Sequence, residues 1–253
     1  MGSTVSLRSR NTAIGDAQSE FDAATFETIT RYTTVVLDED FIGPGHTTIP
    51  TFGAPAAGYA WVQKVVKTAG TPTVGPVANS GGGLIRFALD ATSEKQEVTL
   101  YANDSLNWDM TKSAVWEARI SNHVVPGALV EIVFGLHSVW IDGPDNAGFY
   151  ADFQQLASGA INFRTKDGVQ TLSNPSGVSM AVDVFHIFRI DATDPTNVRF
   201  SIDGADVSTP KQMSFAAVGA NAILQPYLSV YKASGVGVGM LDLDMVQIGM
   251  NRS

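Results

Sequence analysis

Short runs in which apolar and polar residues alternate make up most of this sequence. Between residues 182 and 203, the runs VDVFHIFRI and VRFSID flank the polar segment DATDPTN. A period of two is that of a β-strand with one face in a core, because successive side chains point to opposite faces. Asp, Asn, Thr and Pro favour chain reversal. The segment therefore predicts an antiparallel hairpin.

The same alternation recurs in about twelve short runs between residues 33 and 248. The most apolar run is 130–136, and the last is 240–248. Segments rich in Gly and Pro, among them 43–57 and 68–83, separate the runs and predict loops. No long stretch has the spacing of an amphipathic helix. The pattern therefore predicts an all-β fold, a two-sheet antiparallel β-sandwich.

Composition agrees with a folded protein that has a sizeable core. Of the 253 residues, 44% are hydrophobic and 16% are charged. The net charge of −9 argues against a nucleic-acid partner, and the absence of cysteine excludes a disulfide framework and a cysteine nucleophile. No run is apolar enough to span a membrane. Arg8 and Arg10 precede no apolar run of the kind that a signal peptide needs, so we expect a soluble protein made in the cytoplasm.

Several segments resemble the concanavalin A-like superfamily of jelly rolls, which includes laminin-G, pentraxin and glucanase domains. They are EDFIG at 39–43, VWEARI at 115–120, HIFRI with the later SIDG, and DMVQI at 244–248. The resemblance implies one concanavalin A-like jelly-roll domain over residues 32–253, with residues 1–31 as a separate N-terminal arm. Proteins of many functions share this fold, so the resemblance alone implies no activity.

One strand bears on catalysis. Glucanases with this fold use a Glu-x-Asp-x-x-Glu strand, and the matching segment here is YADFQQ at 150–155. Retaining hydrolysis needs two carboxyl groups about 5 Å apart, one as nucleophile and one as acid/base. Tyr150 stands at the nucleophile position and Gln155 at the acid/base position, so Asp152 alone matches. Because glutamine cannot donate a proton to a leaving group, we expect a protein that is not an enzyme and has no catalytic residue.

Two sets of residues are candidates for carbohydrate binding. Tyr150, Asp152 and Gln154 share one face of a predicted strand and place an aromatic ring beside polar groups. Tyr227 and Tyr231 offer a similar face in a later strand. Such faces are equally suited to packing against a neighbouring subunit.

The loop at 140–148 is a candidate metal site. Asp142, Asp145 and Asn146 supply the hard oxygen ligands that calcium prefers. The same residue types are also favoured in turns that need no metal. We expect no cofactor other than calcium, because the four histidines occur singly and lack the spacing of a zinc site.

Two functions follow from these predictions. The first is a non-enzymatic virion protein, because the chain resembles phage structural proteins that join a jelly roll to a short docking arm. The resemblance implies a capsid decoration or accessory head protein that assembles in the host cytoplasm. It would dock on a major capsid protein or another virion protein through residues 1–31 and form a homo-oligomer, for example a trimer. The alternative is a lectin-like carbohydrate-binding module, with or without calcium.

Overall fold

The computed structural model describes residues 34–41, 61–78, 80 and 83–251. Sixteen strands make up this part of the chain, with four short 3₁₀ segments between them. The strands are β1 (Thr34–Glu39), β2 (Val62–Lys67), β3 (Thr73–Pro76), β4 (Ile85–Ala88), β5 (Gln96–Tyr101), β6 (Trp108–Asp109), β7 (Ala114–Val124), β8 (Val130–His137), β9 (Tyr150–Gln155), β10 (Ala160–Lys166), β11 (Thr171–Ser179), β12 (His186–Ala192), β13 (Arg199–Ile202), β14 (Ala205–Asp206), β15 (Ile223–Lys232) and β16 (Met240–Asn251). The 3₁₀ segments are Met110–Lys112, Pro144–Asn146, Ala157–Gly159 and Gly219–Ala222. Within the described ranges, no helix has the length and apolar character needed to cross a bilayer.

The strands form two antiparallel sheets of eight strands each. In sheet A the order is β14-β13-β12-β7-β16-β4-β3, and β1 also pairs with β16. In sheet B the order is β11-β10-β9-β8-β15-β5-β2, and β6 also pairs with β15. The last two strands of the sequence, β15 and β16, therefore lie in the interior of the two sheets.

The sheets pack face to face around an aromatic core. The ring of Phe134 in β8 is 4.7 Å from the ring of Phe188 in β12 and 5.7 Å from that of Phe153 in β9. Trp116 of β7 lies 6.4 Å from Phe134, and all four side chains are fully buried. Because these rings come from both sheets, the aromatic contacts hold the two layers together.

The outer face of sheet A carries ion pairs between neighbouring strands and, for Arg189 and Asp191, within β12. They are Arg86 with Asp242, Arg119 with Asp244, and Arg189 with Glu117 and Asp191. The pairs of Arg119 and Arg189 are partly exposed on both sides, so each contributes little to stability. Asp242 is buried instead, and both of its oxygens accept hydrogen bonds of 2.7 Å from Arg86.

A buried lysine lies at one end of the core. The alternation in β15 places Lys232 on the core side, two residues after Val230, and Lys232 is fully buried. Its ammonium donates hydrogen bonds to the carbonyl oxygens of Asp90 at 2.5 Å, Thr92 at 2.8 Å and Gly237 at 3.0 Å. These three carbonyl dipoles compensate the buried charge.

The structure confirms the predicted two-sheet sandwich, and β12 and β13 form the predicted hairpin. One prediction needs correction: the segment 68–83, predicted as a loop, contains the strand β3. Its sequence TVGP ends in Gly and Pro, which are tolerated here because β3 is the edge strand of sheet A. The predicted arm, residues 1–31, lies outside the described residues.

Candidate functional site

One face of sheet B is polar and yet largely buried. Its side chains alternate with core residues along each strand and point away from the core. This polar face comprises Glu97, Thr99, Glu131, Val133, His137, Tyr150, Asp152, Gln154, Asn162, Arg164, Lys166, Gln225, Tyr227, Ser229 and Tyr231. Only Glu131, Asn162, Lys166 and Tyr231 in this set are partly exposed, so the face is covered rather than open to solvent.

Asp152 and Arg164 form an ion pair in the middle of the polar face. The register of β9 and β10 places the two residues directly opposite each other. The Nε and Nη2 atoms of Arg164 donate to the two carboxylate oxygens of Asp152, both at 2.8 Å. Burial raises the pKa of Asp152, but the charge and hydrogen bonds of Arg164, with a further bond from His137, hold that pKa below its ordinary value. Asp152 is therefore an ionised, fully paired carboxylate.

His137 of β8 lies between two tyrosine rings. Its ring centroid is 4.3 Å from that of Tyr227, with 11° between the planes, and 5.3 Å from that of Tyr150. Its Nε2 atom lies 2.7 Å from Oδ2 of Asp152, and because an ionised carboxylate can only accept, Nε2 carries the proton. Burial lowers the pKa of His137, so the ring is neutral and Nδ1 is an acceptor. This Nδ1 atom is buried without a hydrogen-bond partner among the described residues.

Two more carboxyl groups approach the third nitrogen of Arg164. Nη1 donates to the carboxylate of Asp145 and lies 3.5 Å from Oε1 of Glu131. The same Oε1 atom accepts a hydrogen bond of 2.5 Å from the side-chain amide of Gln154. Burial, together with the negative charge of Asp145, raises the pKa of Glu131 to about 8. Glu131 is therefore a protonated acid at neutral pH, next to the more exposed Asp145.

Glu97 of β5 is a second buried carboxyl group. Its oxygens accept hydrogen bonds from Thr99 Oγ1 (3.0 Å), Trp140 Nε1 (3.1 Å), the backbone N of Gly143 (3.2 Å), Tyr227 Oη (3.3 Å) and Ser229 Oγ (3.4 Å). Burial raises the pKa of Glu97 in spite of these bonds. Two of the donors belong to the loop at 140–148, so Glu97 fixes that loop to the sheet.

The loop at residues 140–148, which we call the strap, crosses the polar face. At one end, the ammonium of Lys64 in β2 lies 3.2 Å from the ring centroid of Trp140. Towards the other end, Asp145 of the strap reaches Arg164 in β10. The strap therefore extends over most of the width of sheet B.

Gly143 brings the strap close to the sheet. Its φ of +78° is in the left-handed region that favours glycine. A β-carbon there would lie 3.0 Å from Nδ2 of Asn146 and 3.6 Å from the ring of Tyr231. Glycine thus allows both the turn and the hydrogen bond to Glu97.

The candidate carbohydrate-binding residues lie on this one face. Tyr150, Asp152 and Gln154 project from β9, and Tyr227 and Tyr231 project from β15. Four of them are buried, and Tyr231 is partly exposed. Their role in binding stays a prediction.

The position assigned to Gln155 needs correction. The pairing of β9 with β8 and β10 shows no bulge, so the strict alternation places Gln155 on the side opposite to Tyr150 and Asp152. Gln155 donates to the carbonyl of Gly159 and is fully buried. Gln154 is the residue that accompanies Asp152 on the polar face.

The candidate calcium ligands are engaged with other groups. Asp142 pairs with Lys95, Asp145 pairs with Arg164, and Asn146 donates to the carbonyl of Asp142 at 2.7 Å. Across the described ranges, no group of three or more His, Asp or Glu side chains could hold a metal ion. Asp142 reaches Lys95 just before β5 and Asp145 reaches Arg164 in β10, and calcium binding stays a prediction.

The sequence analysis missed Glu97, Glu131, His137 and Arg164 as site residues. A signal was present, because each is a polar residue that alternates with buried residues along its strand. Glu131, for example, lies between the buried Val130 and Ile132. The pairing of β8, β9 and β10 brings three of the four together.

No protein-family model matches the chain, and no curated protein matches it in sequence. Solved structures do resemble it. An endo-β-1,4-glucuronan lyase from the fungus Trichoderma reesei is 12% identical, with a TM-score of 0.53 over 80% of this chain and 94% of the lyase. A Bacillus licheniformis β-glucanase is 12% identical, with a TM-score of 0.51 over 84% of this chain and 97% of the glucanase. The carbohydrate recognition domain of Emp47p is 11% identical, with a TM-score of 0.51 over 83% of this chain and 97% of that domain.

At such low sequence identity, the structural likeness establishes the fold and nothing finer. The chain has the concanavalin A-like jelly roll of glucanases and lectin domains, as the sequence resemblance implied. The resemblance to phage virion proteins gains no support from these structures.

Proposed function

We propose that this protein is a non-hydrolytic glycan-binding jelly roll and that the glycan binds on the polar face of sheet B. One observation carries the proposal: aromatic rings and hydrogen-bonding side chains alternate across this single face. Tyr150, His137 and Tyr227 form a stack, and Tyr231 adds a partly exposed ring. Sugars have apolar ring faces and hydroxyl edges, and a site that binds them combines apolar contact with a few well-placed polar groups.

The polar groups of the face suit hydroxyl ligands. Nδ1 of His137 is an acceptor without a partner among the described residues, and the partly exposed Asn162 offers both a donor and an acceptor. The fold of the chain is also that of a carbohydrate recognition domain and of two enzymes named for polysaccharides. This likeness supports a glycan ligand over the virion role, whose docking arm lies outside the described residues.

The geometry around Asp152 supports the absence of hydrolysis. Asp152 is fully buried, and both of its oxygens accept hydrogen bonds from Arg164. Its neighbours on the polar face of β9 are Tyr150 and Gln154, neither of which is a carboxylic acid. Burial raises the pKa of Tyr150 to about 12, so Tyr150 keeps its proton at neutral pH.

A hydrolase is the second candidate, and one observation favours it. Glu131 is a protonated acid next to the carboxyl group of Asp145, and acid/base hydrolysis uses a pair of carboxyl groups. Release of reducing ends from β-glucans, lost in Glu131→Gln, would establish this activity and overturn the non-hydrolytic proposal.

A glycan array with the full chain tests the main proposal. We expect saturable binding to at least one polysaccharide and weaker binding by Tyr231→Ala, because that substitution removes the accessible ring. Phe185→Ala is the matched control, since Phe185 is a partly buried ring under Arg119 next to sheet A. Absence of binding to every glycan, or equal losses in the two variants, would contradict the proposal.

A further inference from the structure

Two acidic side chains of the strap are placed on basic side chains of sheet B or next to it. Asp145 pairs with Arg164 at the β10 side, and Asp142 pairs with Lys95 just before β5. The two acids are three residues apart in the strap. They therefore present two carboxylates to two cations that lie at separate positions along the face.

Arg164 has one nitrogen left for a ligand. Nε and Nη2 are bonded to Asp152, whereas Nη1 donates to Asp145 of the strap. Asp145 has 55% of its side-chain surface exposed, but the side chain of Arg164 is only 4% exposed. If Asp145 moves away, Nη1 becomes an exposed, positively charged donor whose orientation Asp152 keeps fixed.

The strap adds negative charge to the polar face. Four basic side chains lie on this face or at its edge: Lys64, Lys95, Arg164 and Lys166. Apart from the strap, the acidic side chains near them are Asp152, Asp104, Glu97 and Glu131, and burial raises the pKa of the last two. The covered face also contains the strap carboxylates of Asp142 and Asp145. Displacement of the strap thus exposes a cationic surface on a protein whose net charge is −9.

Apolar burial holds only part of the strap. Pro144 and Ala147 are buried, but Ile141 is 42% exposed and the preceding Val139 is 51% exposed. Trp140 packs against the buried cluster that contains Val62 and Tyr227, and the other contacts are hydrogen bonds and ion pairs. A charged ligand can therefore replace the ion pairs of the strap with its own.

We propose that the strap is a displaceable cover whose carboxylates occupy the positions of a ligand's carboxylates, and that the ligand is an acidic glycan of uronic-acid units. This inference rests on the proposed function, since it assigns the class of glycan that binds the polar face. The carboxylate of one sugar unit takes the place of Asp145 on Nη1 of Arg164. That of a second unit takes the place of Asp142 on Lys95.

The test compares Asp145→Asn with Asp244→Asn in the full chain. Asp244 pairs with Arg119 on sheet A, so the control variant makes the same change in net charge and also removes an ion pair. The probes are a galacturonate oligosaccharide, a neutral β-glucan oligosaccharide and a sulfated dextran oligosaccharide, in calorimetry at two salt concentrations. We expect Asp145→Asn to bind the galacturonate two- to fivefold more tightly than wild type, about the range for one exposed ion pair. Asp244→Asn should match wild type, and high salt should weaken the binding.

Hydrogen exchange with the galacturonate bound provides the second measurement. Exchange in residues 140–148 should become faster, because the ligand displaces the strap. Slower exchange would overturn the proposal that the strap is a displaceable cover. Equal galacturonate affinity of Asp145→Asn and wild type would overturn the exchange of carboxylates. Equal binding of the sulfated probe would overturn the assignment to uronic acids. Binding of the neutral probe alone would overturn this inference and leave glycan binding intact, whereas binding of no probe by any variant would overturn both.

Discussion

The ion pair of Arg164 and Asp152 gives the sharpest prediction, which concerns the substitution Arg164→Met. Methionine keeps much of the aliphatic stem but removes the guanidinium. Asp152 then keeps only its hydrogen bond from His137, at a position with no exposed surface. Removal of one partner of a buried pair costs about 3–5 kcal/mol, because the other charge stays buried without compensation. For a domain of this size that corresponds to a fall in the melting temperature of about 6–20 °C.

The pH dependence of this loss follows from the pKa of Asp152. In the wild type that pKa lies below its ordinary value, so the carboxylate contributes stability above the ordinary pKa, and this contribution is lost as the pH falls through the folded value. Without Arg164, burial dominates and raises the pKa of Asp152 above the ordinary value. Protonation of Asp152 at lower pH then removes the cost of a buried carboxylate without a partner. The gap in unfolding free energy between wild type and Arg164→Met should therefore narrow as the pH falls from 7 towards 4.

Urea denaturation at several pH values measures this gap. Arg189→Met is the control, because Arg189 is partly exposed and pairs with Glu117 and Asp191 on sheet A; we expect it to lose less than about 1 kcal/mol. The double variant Arg164→Met/Asp152→Asn should recover at least half of the loss. A loss under about 1 kcal/mol at pH 7, or a gap that is the same at pH 7 and pH 4, would refute the reasoning.

Two further predictions concern other buried groups. Because the pKa of Glu131 rises from 4.5 to about 8 on folding, the wild type loses stability as the pH rises through this range. Glu131→Gln should remove this loss. In urea denaturation, the unfolding free energy of the variant should therefore rise relative to that of the wild type from pH 5 to pH 8, by at most about 5 kcal/mol. A difference that is the same at every pH would contradict the raised pKa of Glu131. Lys232→Met leaves the carbonyls of Asp90, Thr92 and Gly237 without their donor, and we expect a loss of about 2–4 kcal/mol in unfolding free energy. The control Lys211→Met, at an exposed position, should be neutral, and equal losses in the two lysine variants would disprove the role of the carbonyl contacts.

The alternation of side chains was sufficient to predict the sandwich and the composition of one strand face. Because side chains two residues apart in a strand lie on the same face, Tyr150, Asp152 and Gln154 share a face whichever strands pair with β9. The alternation did not predict β3, because Gly75 and Pro76 are residues typical of loops. They are tolerated in β3 because it is an edge strand. The assignment of Gln155 rested on the motif alone, and the regular pairing of β9 places this residue on the side opposite to Asp152.

The partners across strands could not be predicted, because period two carries no information on which strands become neighbours. Glu97 and Ser229 are 132 residues apart in sequence and within 3.4 Å in space. The path of the strap was equally hidden: its sequence predicts turns, but not that Asp145 reaches Arg164. Lys232 was unexpected for another reason, since a lysine at a core position is stable only when carbonyls from distant turns surround it.

The places of β15 and β16 have a consequence for biosynthesis. Every other strand precedes these two in the sequence, yet β15 joins β8 to β5 and β16 joins β7 to β4. While residues 223–251 are still inside the ribosome, each layer consists of two unconnected halves with open inner edges. Such edges are prone to pair with other chains, so the nascent protein depends on the rapid emergence and pairing of β15 and β16 or on a chaperone.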